Sequence, residues 1–336
     1  MISVSGKKWI EKKINKNTIE KIKQDFNFSE ILSKLIISRN FDLEEIHSIK
    51  NTSAIPNYFK KDEDFIKGAS LLDNCIKNKQ LICIFGDYDV DGIASTSLLA
   101  KFFDHIKHPY FFYIPDRERD GYGPSISLFK KLVLKNPKLI IMLDCGSTSN
   151  EEIKYLNNKN IKSIIIDHHE INKPYPKSNI IINPKKNINY SLKNYFCATT
   201  LTYFFLEIVI KKIRSSFNLS NYLIYVLLAL VCDVMPLRKI NRSIALNLIN
   251  NFKIKDNLVF KTLYELCEKK KNLTIDDLGY FIGPIINSSG RLSNSIIAAN
   301  LLMSDDLPFI KNQSKKLIKL NNKRKEIEDK ILSEIN

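Results

Sequence analysis

Short runs of consecutive apolar residues alternate with amphipathic segments over residues 65–166. The apolar runs are Leu81–Phe85, Tyr110–Ile114, Leu139–Leu143 and Ile164–Ile166. The intervening spacing predicts helices over Phe65–Lys77, Ile93–His105 and Pro124–Leu134, and a fourth that begins near Ser147–Asn150. A strand that is apolar throughout is buried on both faces, as in a parallel sheet covered by helices. The pattern therefore predicts an α/β fold, with a parallel sheet and helices on both of its faces.

The segments on either side of this region follow a different pattern. Residues 1–60 are polar with short amphipathic stretches, and we expect them to be helical around Ile19–Ile37. From Cys197 onward the pattern is mostly helical, and it ends in a long charged helix over Leu307–Asn336. We therefore predict an N-terminal helical extension over 1–60, a main domain over 61–306 and a connector helix over 307–336.

The composition adds a basic balance. The chain has 336 residues and a formal net charge of +16, from 52 Lys and Arg against 36 Asp and Glu. A polyanionic partner such as nucleic acid would explain this excess. The charge is nearly all lysine in a chain also rich in Asn and Ile, so drift in codon usage remains an alternative explanation. With 44% hydrophobic residues, the chain is too apolar to be intrinsically disordered.

Neither a secretory signal nor a membrane span is predicted. The N-terminus carries lysines without the apolar core of a signal peptide. The longest apolar run, Tyr222–Cys232, is about half of the ~20 residues that a bilayer requires, and it predicts a buried helix. The six cysteines stand far apart, which favours reduced thiols over disulfides or a zinc site. We expect a cytoplasmic protein.

Acidic residues follow three of the apolar runs. The first run leads into Asp87, Asp89 and Asp91, the third into Asp144, and the fourth into Asp167-His168-His169-Glu170. The carboxyl ends of parallel strands share one edge of a sheet, where ligands bind. Carboxylates that meet there repel one another unless cations neutralise them, so the pattern predicts a site for hard divalent metal ions.

These acidic residues could also be helix caps, turn residues or part of an EF-hand loop. A single Asp after a strand more often caps the next helix or lies in a turn. The spacing of Asp87, Asp89 and Asp91 also imitates an EF-hand loop. In that loop, however, the twelfth position is Glu and a helix comes first, whereas this chain has Leu98 and a strand-like run. Three acidic clusters at one sheet edge favour the metal site.

Several motifs of the chain resemble those of a known family. Gly86–Gly92, Asp144 and Asp167-His168-His169 are similar to the motifs of the DHH phosphoesterase superfamily. Further segments resemble its RecJ-type branch, which comprises single-strand-specific 5′→3′ DNA exonucleases. These segments are Ile114–Arg117, Gly121–Gly123, Asp233–Leu237 with Asn241-Arg242, Asp277–Gly279, Gly283-Pro284 and Asn287–Leu292. The resemblance extends from about residue 40 to the C-terminus.

The resemblance implies a catalytic centre with two Mn²⁺ or Mg²⁺ ions. The implied metal ligands are Asp87, Asp89, Asp144, His168 and Asp233, with Asp144 bridging the two ions. His169 and Asp167 are implied to orient the ligands or to assist the leaving group, and Asp91 is expected to be structural. An alternative for Asp233 is a helix cap after the apolar run. Hydrolysis would follow the two-metal mechanism.

Candidate contacts to single-stranded DNA come from the same motifs. Arg117 and Arg291 carry planar guanidinium groups suited to phosphate oxygens, although an exposed salt bridge is the alternative for each. Asn287 precedes Arg291 in its motif. Tyr122 is a candidate for stacking on a base, with core packing as the alternative.

In RecJ proteins a long helix joins the catalytic module to a DHH-associated domain. Residues 307–336 resemble that helix, and we expect the distal domain to be absent from this chain. Besides an exonuclease of DNA repair and recombination, two alternatives remain: a DHH phosphodiesterase acting on short oligonucleotides or cyclic dinucleotides, and a non-catalytic replication scaffold. Single-stranded DNA is the expected partner, with a single-strand-binding protein or a helicase as further candidates. The oligomeric state is left open.

Overall fold

The computed structural model describes residues 2–8, 10, 12–49, 55–187, 192, 194–269 and 272–335. The chain forms two compact units, Met1–Ala54 and Ile55–Asn336. The first unit contains α1 (Lys16–Phe26), α2 (Glu30–Ser38) and α3 (Leu43–Ser48). The helical region expected around Ile19–Ile37 consists of two helices, because Asn27 adopts a left-handed conformation with φ 50° and the Ser29 side chain caps α2.

The second unit is built on a five-stranded sheet in the order β2-β1-β3-β4-β5, and all of its strand pairs are parallel. The strands are β1 (Ile82–Gly86), β2 (Tyr110–Tyr113), β3 (Leu139–Leu143), β4 (Lys162–Ile166) and β5 (Ile180–Ile182). Every residue of β1 and β3 is buried. The predicted α/β class and parallel sheet are confirmed. The three-residue strand β5 was not predicted.

Helices of the second unit follow the strands or alternate with them. Those in the described part of the chain are α4 (Glu63–Lys77), α5 (Val90–His105), α6 (Ile126–Val133), α7 (Asn150–Asn158), α8 (Ala198–Ile213), α9 (Leu223–Cys232), α10 (Lys239–Asn251), α11 (Leu258–Leu266), α12 (Ile275–Asp277), α13 (Gly283–Leu292), α14 (Ile296–Met303) and α15 (Leu307–Ile335). A π-helical turn, Leu278–Ile282, joins α12 to α13. Short 3₁₀ turns lie at Pro184–Lys186, Leu219–Tyr222 and Ile254–Asp256.

Helices cover both faces of the sheet because successive strand residues point to opposite sides. In β1, Ile82 and Ile84 pack into a large core that also contains residues of α4, α5, α8 and α9. Cys83 and Phe85 point the other way, into a smaller core that includes Phe129 of α6. Both faces of the sheet are therefore buried from solvent, which is why the strands are apolar throughout.

Helix α5 is central to the larger core and is buried over nearly its whole length. It follows β1 through the turn at residues 87–89, and that turn is too tight for a side chain at Gly92. A Cβ atom there would lie 2.4 Å from the carbonyl oxygen of Asp87. Glycine thus lets the first turn of α5 press against the strand end that carries the acidic motif.

The lengths of the apolar helices and the state of the cysteines can be compared with the expectations from the sequence. Among the described residues, no helix combines the length and apolar character needed to cross a bilayer. The run Tyr222–Cys232 corresponds to α9, whose first eight residues are buried in the large core. All six cysteines are free thiols.

Candidate metal centre

Strand register brings the acidic motifs together. Gly86 at the end of β1 pairs with Leu143 at the end of β3, and Leu143 pairs with Ile166 at the end of β4. The next residue on each strand, Asp87, Asp144 or Asp167, therefore leaves the sheet at the same level. Asp144 turns sharply, with φ 63°, while its N–H donates to the carbonyl of Ile166 at 3.0 Å. The predicted convergence at the carboxyl edge is confirmed.

His168 lies at the centre of the resulting cluster. Its Nε2 atom is 3.3 Å from Asp144 Oδ1 and 3.5 Å from Asp233 Oδ2. Asp91 Oδ2 is 3.7 Å from the same nitrogen. Asp233, which strand patterning did not reach, thus joins the cluster from the C-terminal end of α9.

The side chains form overlapping groups that could each hold a cation. Potential ligand atoms of Asp87, Asp89 and Asp144 lie within 4.8 Å of one another. The same limit holds for Asp91, His168 and Asp233, and for Asp144, His168 and His169. The structure therefore brings together all five residues of the implied ligand set, with Asp144 shared between two groups.

Several of these atoms are buried and have no hydrogen-bond partner in the described part of the chain. They are both carboxylate oxygens of Asp144, Nε2 of His168 and Oδ2 of Asp233. Buried polar atoms are normally paired, because an unpaired one loses its hydration without compensation. Carboxylate oxygens with one imidazole suit Mn²⁺ or Mg²⁺, so the residues present fit divalent cations.

The electrostatics of the cluster lead to the same inference. Burial, and then the neighbouring carboxylate of Asp89, raises the pKa of Asp87 to about 7. Burial together with Asp91 raises the pKa of Asp233 to about 7. The pKa of Asp144 lies well above its ordinary value, and burial lowers the pKa of His168. The bare cluster thus disfavours the charged forms of Asp87, Asp144, Asp233 and His168, and added positive charge would favour the ionised carboxylates.

Asp167 is held differently from the other carboxylates. Its Oδ1 atom accepts hydrogen bonds from Nδ1 of His169 at 2.8 Å and from the backbone N–H of His168 at 2.8 Å. Its Oδ2 atom accepts from the backbone N–H of Ser147 at 3.0 Å. Burial alone would raise the pKa of Asp167, but these bonds outweigh burial and lower it. Asp167 is therefore an ionised partner of His169.

His169 is the cationic group at this edge. The hydrogen bond to Asp167 raises the pKa of His169 to about 9. The side chain is 45% exposed, and its Nδ1 atom lies 3.8 Å from Asp144 Oδ1. A protonated imidazole is thus placed beside the buried carboxylates and within reach of solvent.

Asp89 and Asp233 each combine a helix-cap position with membership of the acidic cluster. Oδ1 of Asp89 accepts from the N–H groups of Asp91 and Gly92 at 2.9 and 3.1 Å, which caps α5. Asp233 occupies the C-terminal cap position of α9. Helix capping and membership of the cluster are therefore not exclusive.

Asp91 is fastened to α8. Its carboxylate accepts hydrogen bonds from the N–H groups of Ala198 at 2.6 Å and Thr199 at 2.8 Å, and from the Thr199 hydroxyl at 2.6 Å. The Asp91 carboxylate thus satisfies the first N–H groups of α8, which has no side-chain cap from its own Cys197. The contacts agree with the structural role expected for Asp91.

The candidate DNA contacts form two groups, and each includes residues that contact Tyr88 or lie in the helix that approaches it. The Arg117 guanidinium lies over the Tyr88 ring, 5.6 Å from its centroid. Tyr122 packs edge-on against the same ring at 6.0 Å and remains 62% exposed. Its exposure is compatible with stacking on a base, while its contact with Tyr88 shows that it also packs.

In the second group, Asn287 and Arg291 of α13 line a cavity of about 180 Å³ together with Arg324 of α15. Sequence reasoning missed Arg324, because it lies in a helix that is charged along its whole length and carries no motif. Gly290 brings α13 close to the acidic motif, because a Cβ there would lie 2.6 Å from the Tyr88 carbonyl oxygen. The Ser295 hydroxyl donates to that same carbonyl at 2.7 Å.

Comparison with known proteins supports this description. Residues 81–230 match the model of the DHH family, N-terminal domain. The single-stranded-DNA-specific exonuclease RecJ of Bacillus subtilis is 26% identical over 98% of this chain and 42% of its own length. RecJ of Haemophilus influenzae is 28% identical over 78% of this chain and 48% of its own length. This chain thus spans about half the length of these curated relatives, or less.

A solved structure shows the same fold. RecJ of Thermus thermophilus in complex with Mn²⁺ superposes with a TM-score of 0.79 at 19% identity, covering 95% of this chain and 46% of that one. The resemblance inferred from the motifs is therefore confirmed by a family model, by sequence comparison over most of the chain and by fold. Residues 81–230 thus match the DHH family model, and the chain is similar to RecJ exonucleases over most of its length.

Proposed function

We propose that this chain is a metal-dependent phosphodiesterase that removes nucleotides from single-stranded DNA in the 5′→3′ direction, in DNA repair and recombination. The observation that carries the proposal is the set of buried, unpartnered oxygen and nitrogen atoms of Asp144, His168 and Asp233 at one sheet edge, in the described part of the chain. The relatives named as single-stranded-DNA-specific exonucleases support the choice of substrate.

In this proposal two Mn²⁺ or Mg²⁺ ions are bound by Asp87, Asp89, Asp144, His168 and Asp233. Bound there, divalent cations would activate a water molecule and stabilise the charge that develops on the scissile phosphate. The relative from Thermus thermophilus was solved with Mn²⁺, which supports the choice of metal. Asp144 is assigned the bridging position because both of its carboxylate oxygens are buried without a hydrogen-bond partner in the described part of the chain, and because it shares groups of ligand atoms with Asp87 and Asp89 and with His168.

The remaining polar residues bind and orient the strand. His169, held as an imidazolium by Asp167, donates a proton or hydrogen bond to the oxygen of the leaving group. Arg117 and Arg291 hold phosphates of the strand. Asn287 assists Arg291, and Tyr122 stacks on a base.

The wider setting belongs to the same proposal. A single-strand-binding protein or a helicase would supply or expose the strand, and the cytoplasm is the proposed location, which six free cysteines support. Residues 61–306 are proposed as the catalytic domain, 1–60 as an extension and 307–336 as the connector helix.

A cleavage assay with Mn²⁺ tests the proposed activity. We expect shortening of single-stranded DNA from its 5′ end, and at least about tenfold slower cleavage of blunt duplex of the same sequence, because the duplex does not present an unpaired end to the cluster. A strand labelled at its 3′ end reports the direction, since it should shorten gradually. Faster cleavage of dinucleotides or cyclic dinucleotides would favour a small-substrate phosphodiesterase. Binding of DNA without cleavage of any substrate would favour a scaffold.

Removal of a phosphate-binding arginine should weaken DNA binding more than it slows chemistry. For Arg291→Ala we expect about tenfold weaker binding of single-stranded DNA and a decrease of about 1 in the slope of log affinity against log salt. Arg214→Ala is the control, because Arg214 caps the far end of α8, about 24 Å along the helix from Ala198. Equal effects of the two substitutions would contradict the assignment of Arg291.

A further inference from the structure

Asp233 occupies a position that its charge does not favour. It lies at the C-terminal end of α9, where the helix dipole repels negative charge. Its carboxylate and that of Asp91 belong to one group, whose ligand atoms lie within 4.8 Å of one another, so two like charges are close together. With 26% of its side chain exposed, Asp233 could turn toward water and away from the cluster. The backbone after α9 must therefore hold it in place.

That backbone is strained immediately after Asp233. Val234 has φ 55°, in the left-handed region that a β-branched residue rarely adopts, and its side chain is exposed. The turn closes through hydrogen bonds from the N–H of Val234 to the Val231 carbonyl at 3.3 Å and from the N–H of Met235 to the Leu230 carbonyl at 2.9 Å. This arrangement ends a helix in the way that glycine usually permits. A strained turn persists only where its surroundings hold it.

Asn241 of α10 supplies such a contact. The residue is completely buried, and its side-chain Nδ2 atom donates to the carbonyl of Pro236 at 3.0 Å and to the carbonyl of Tyr195 at 2.6 Å. Pro236 follows Asp233 closely, at the end of the strained turn. Tyr195 lies just before α8, whose first N–H groups hold the carboxylate of Asp91. One amide group thus ties the turn that follows Asp233 to the segment that anchors Asp91.

We propose that Asn241 is a positioning residue that keeps Asp233 within the metal centre. The inference rests on the proposed function, because it needs the cluster to bind metal. Loss of the amide would free the strained turn, and Asp233 would leave the group that it forms with His168 and Asp91. The group formed by Asp87, Asp89 and Asp144 has its own supports on β1, α5 and β3 and would be unaffected.

Titration of the full chain with Mn²⁺ alone, followed by the electron paramagnetic resonance of the free ion, tests this role without any substrate. Asn241→Leu keeps the size of the side chain and removes the donor. We expect one of two bound ions to bind about 10–100-fold more weakly, as for other residues that orient metal ligands, and the second ion to bind within about twofold of wild type. Asn247→Leu, further along α10, is the matched control and should change neither ion.

A double-mutant cycle separates positioning of Asp233 from a general structural effect. Asp233→Asn should weaken the same ion, and adding Asn241→Leu to it should weaken that ion less than about twofold further, because Asn241 acts through Asp233. Fully additive effects, or equal weakening of both ions by Asn241→Leu, would overturn the proposal.

If Asn241→Leu does not fold, the smaller change Asn241→Ser tests the same role. The shorter hydroxyl of Asn241→Ser cannot reach both carbonyls, so we expect the same selective weakening to a smaller extent. Unchanged Mn²⁺ binding by a folded Asn241→Ser chain would overturn the positioning role alone. A wild-type chain that binds no Mn²⁺ would instead overturn the proposed metal centre, and the role of Asn241 with it.

Discussion

Asp144→Asn is expected to abolish cleavage of single-stranded DNA and, at the same time, to stabilise the metal-free chain. Asp144 is only 1% exposed, and neither of its carboxylate oxygens has a hydrogen-bond partner in the described part of the chain. Because it is assigned the position shared by both cations, its loss should reduce the rate by on the order of 10³-fold. The neutral amide also avoids the cost of burying a carboxyl group beside other carboxylates, which is the cost that raises the pKa of Asp144. This should stabilise the metal-free fold at about pH 8 by ~1–3 kcal/mol.

The two effects are measured separately. Cleavage is followed with Mn²⁺ present, and the free energy of unfolding is obtained from denaturant titration with a chelator present. Asp276→Asn is the control, since it makes the same change of charge at an exposed position in α12 and should alter neither quantity. Cleavage within about tenfold of wild type, or a metal-free variant less stable than wild type, would contradict the assignment of Asp144.

The metal-free chain should lose stability as the pH rises from about 4 to about 7. The pKa of Asp87 is about 7 in the folded chain, whereas an unfolded Asp titrates near ~3.9. Between these values the folded state binds more protons than the unfolded state, so stability falls with rising pH. For Asp87 alone the loss reaches about 4 kcal/mol across that window. Asp233 acts in the same direction, with its pKa also raised to about 7.

His169 extends the same trend to higher pH. A histidine whose folded pKa is raised to about 9 stabilises the fold below its unfolded pKa and loses this contribution as the pH rises through the folded pKa. The lowered pKa of Asp167 acts in the opposite sense, but only in the acid range near and below its unfolded pKa. The lowered pKa of His168 also opposes the trend in the upper part of this window. Asp87 and Asp233, each with its pKa raised to about 7, outweigh it between about pH 4 and about pH 7.

Denaturant unfolding with a chelator at about pH 5, 6.5 and 8 measures this dependence. Added Mn²⁺ should stabilise the chain more at about pH 8 than at about pH 5, because protons compete with the cation for the same oxygens. Asp144→Asn is the control, and its stability should fall less with pH. If the free energy of unfolding of the metal-free chain is constant or rises over this pH range, the ionised carboxylates of the cluster do not destabilise the fold, and the prediction is wrong.

Much of the fold could be predicted because burial alone determines it. The predicted run Leu139–Leu143 is β3 without any change of boundary, since every one of its residues is buried in a two-sided sheet. The break between α1 and α2 was missed, because it depends on the left-handed backbone of Asn27 rather than on the apolar spacing. Strand β5 has only three residues, too few to establish a period.

The residues of the site likewise fall into those that the sequence could place and those that it could not. Asp87, Asp144 and Asp167 could be placed at one edge from their positions after apolar runs, because the register of parallel strands is a local consequence of burial. Asp233 follows an apolar helix in a different part of the fold, and the residues alone also allowed a helix cap. Its motif indicated a metal ligand only through resemblance to the family.

By itself, then, the sequence determined the parallel sheet, the acidic edge and the match of residues 81–230 to the DHH family model, since these depend on local pattern and short motifs. Only the tertiary structure decided that Asp91 turns to the N-terminus of α8 and that Asn241 holds the turn after Asp233. The physical reason is that a buried polar side chain takes the direction of the partners that satisfy it. For these two residues the partners include groups 107 and 46 positions away along the chain, which no local pattern specifies.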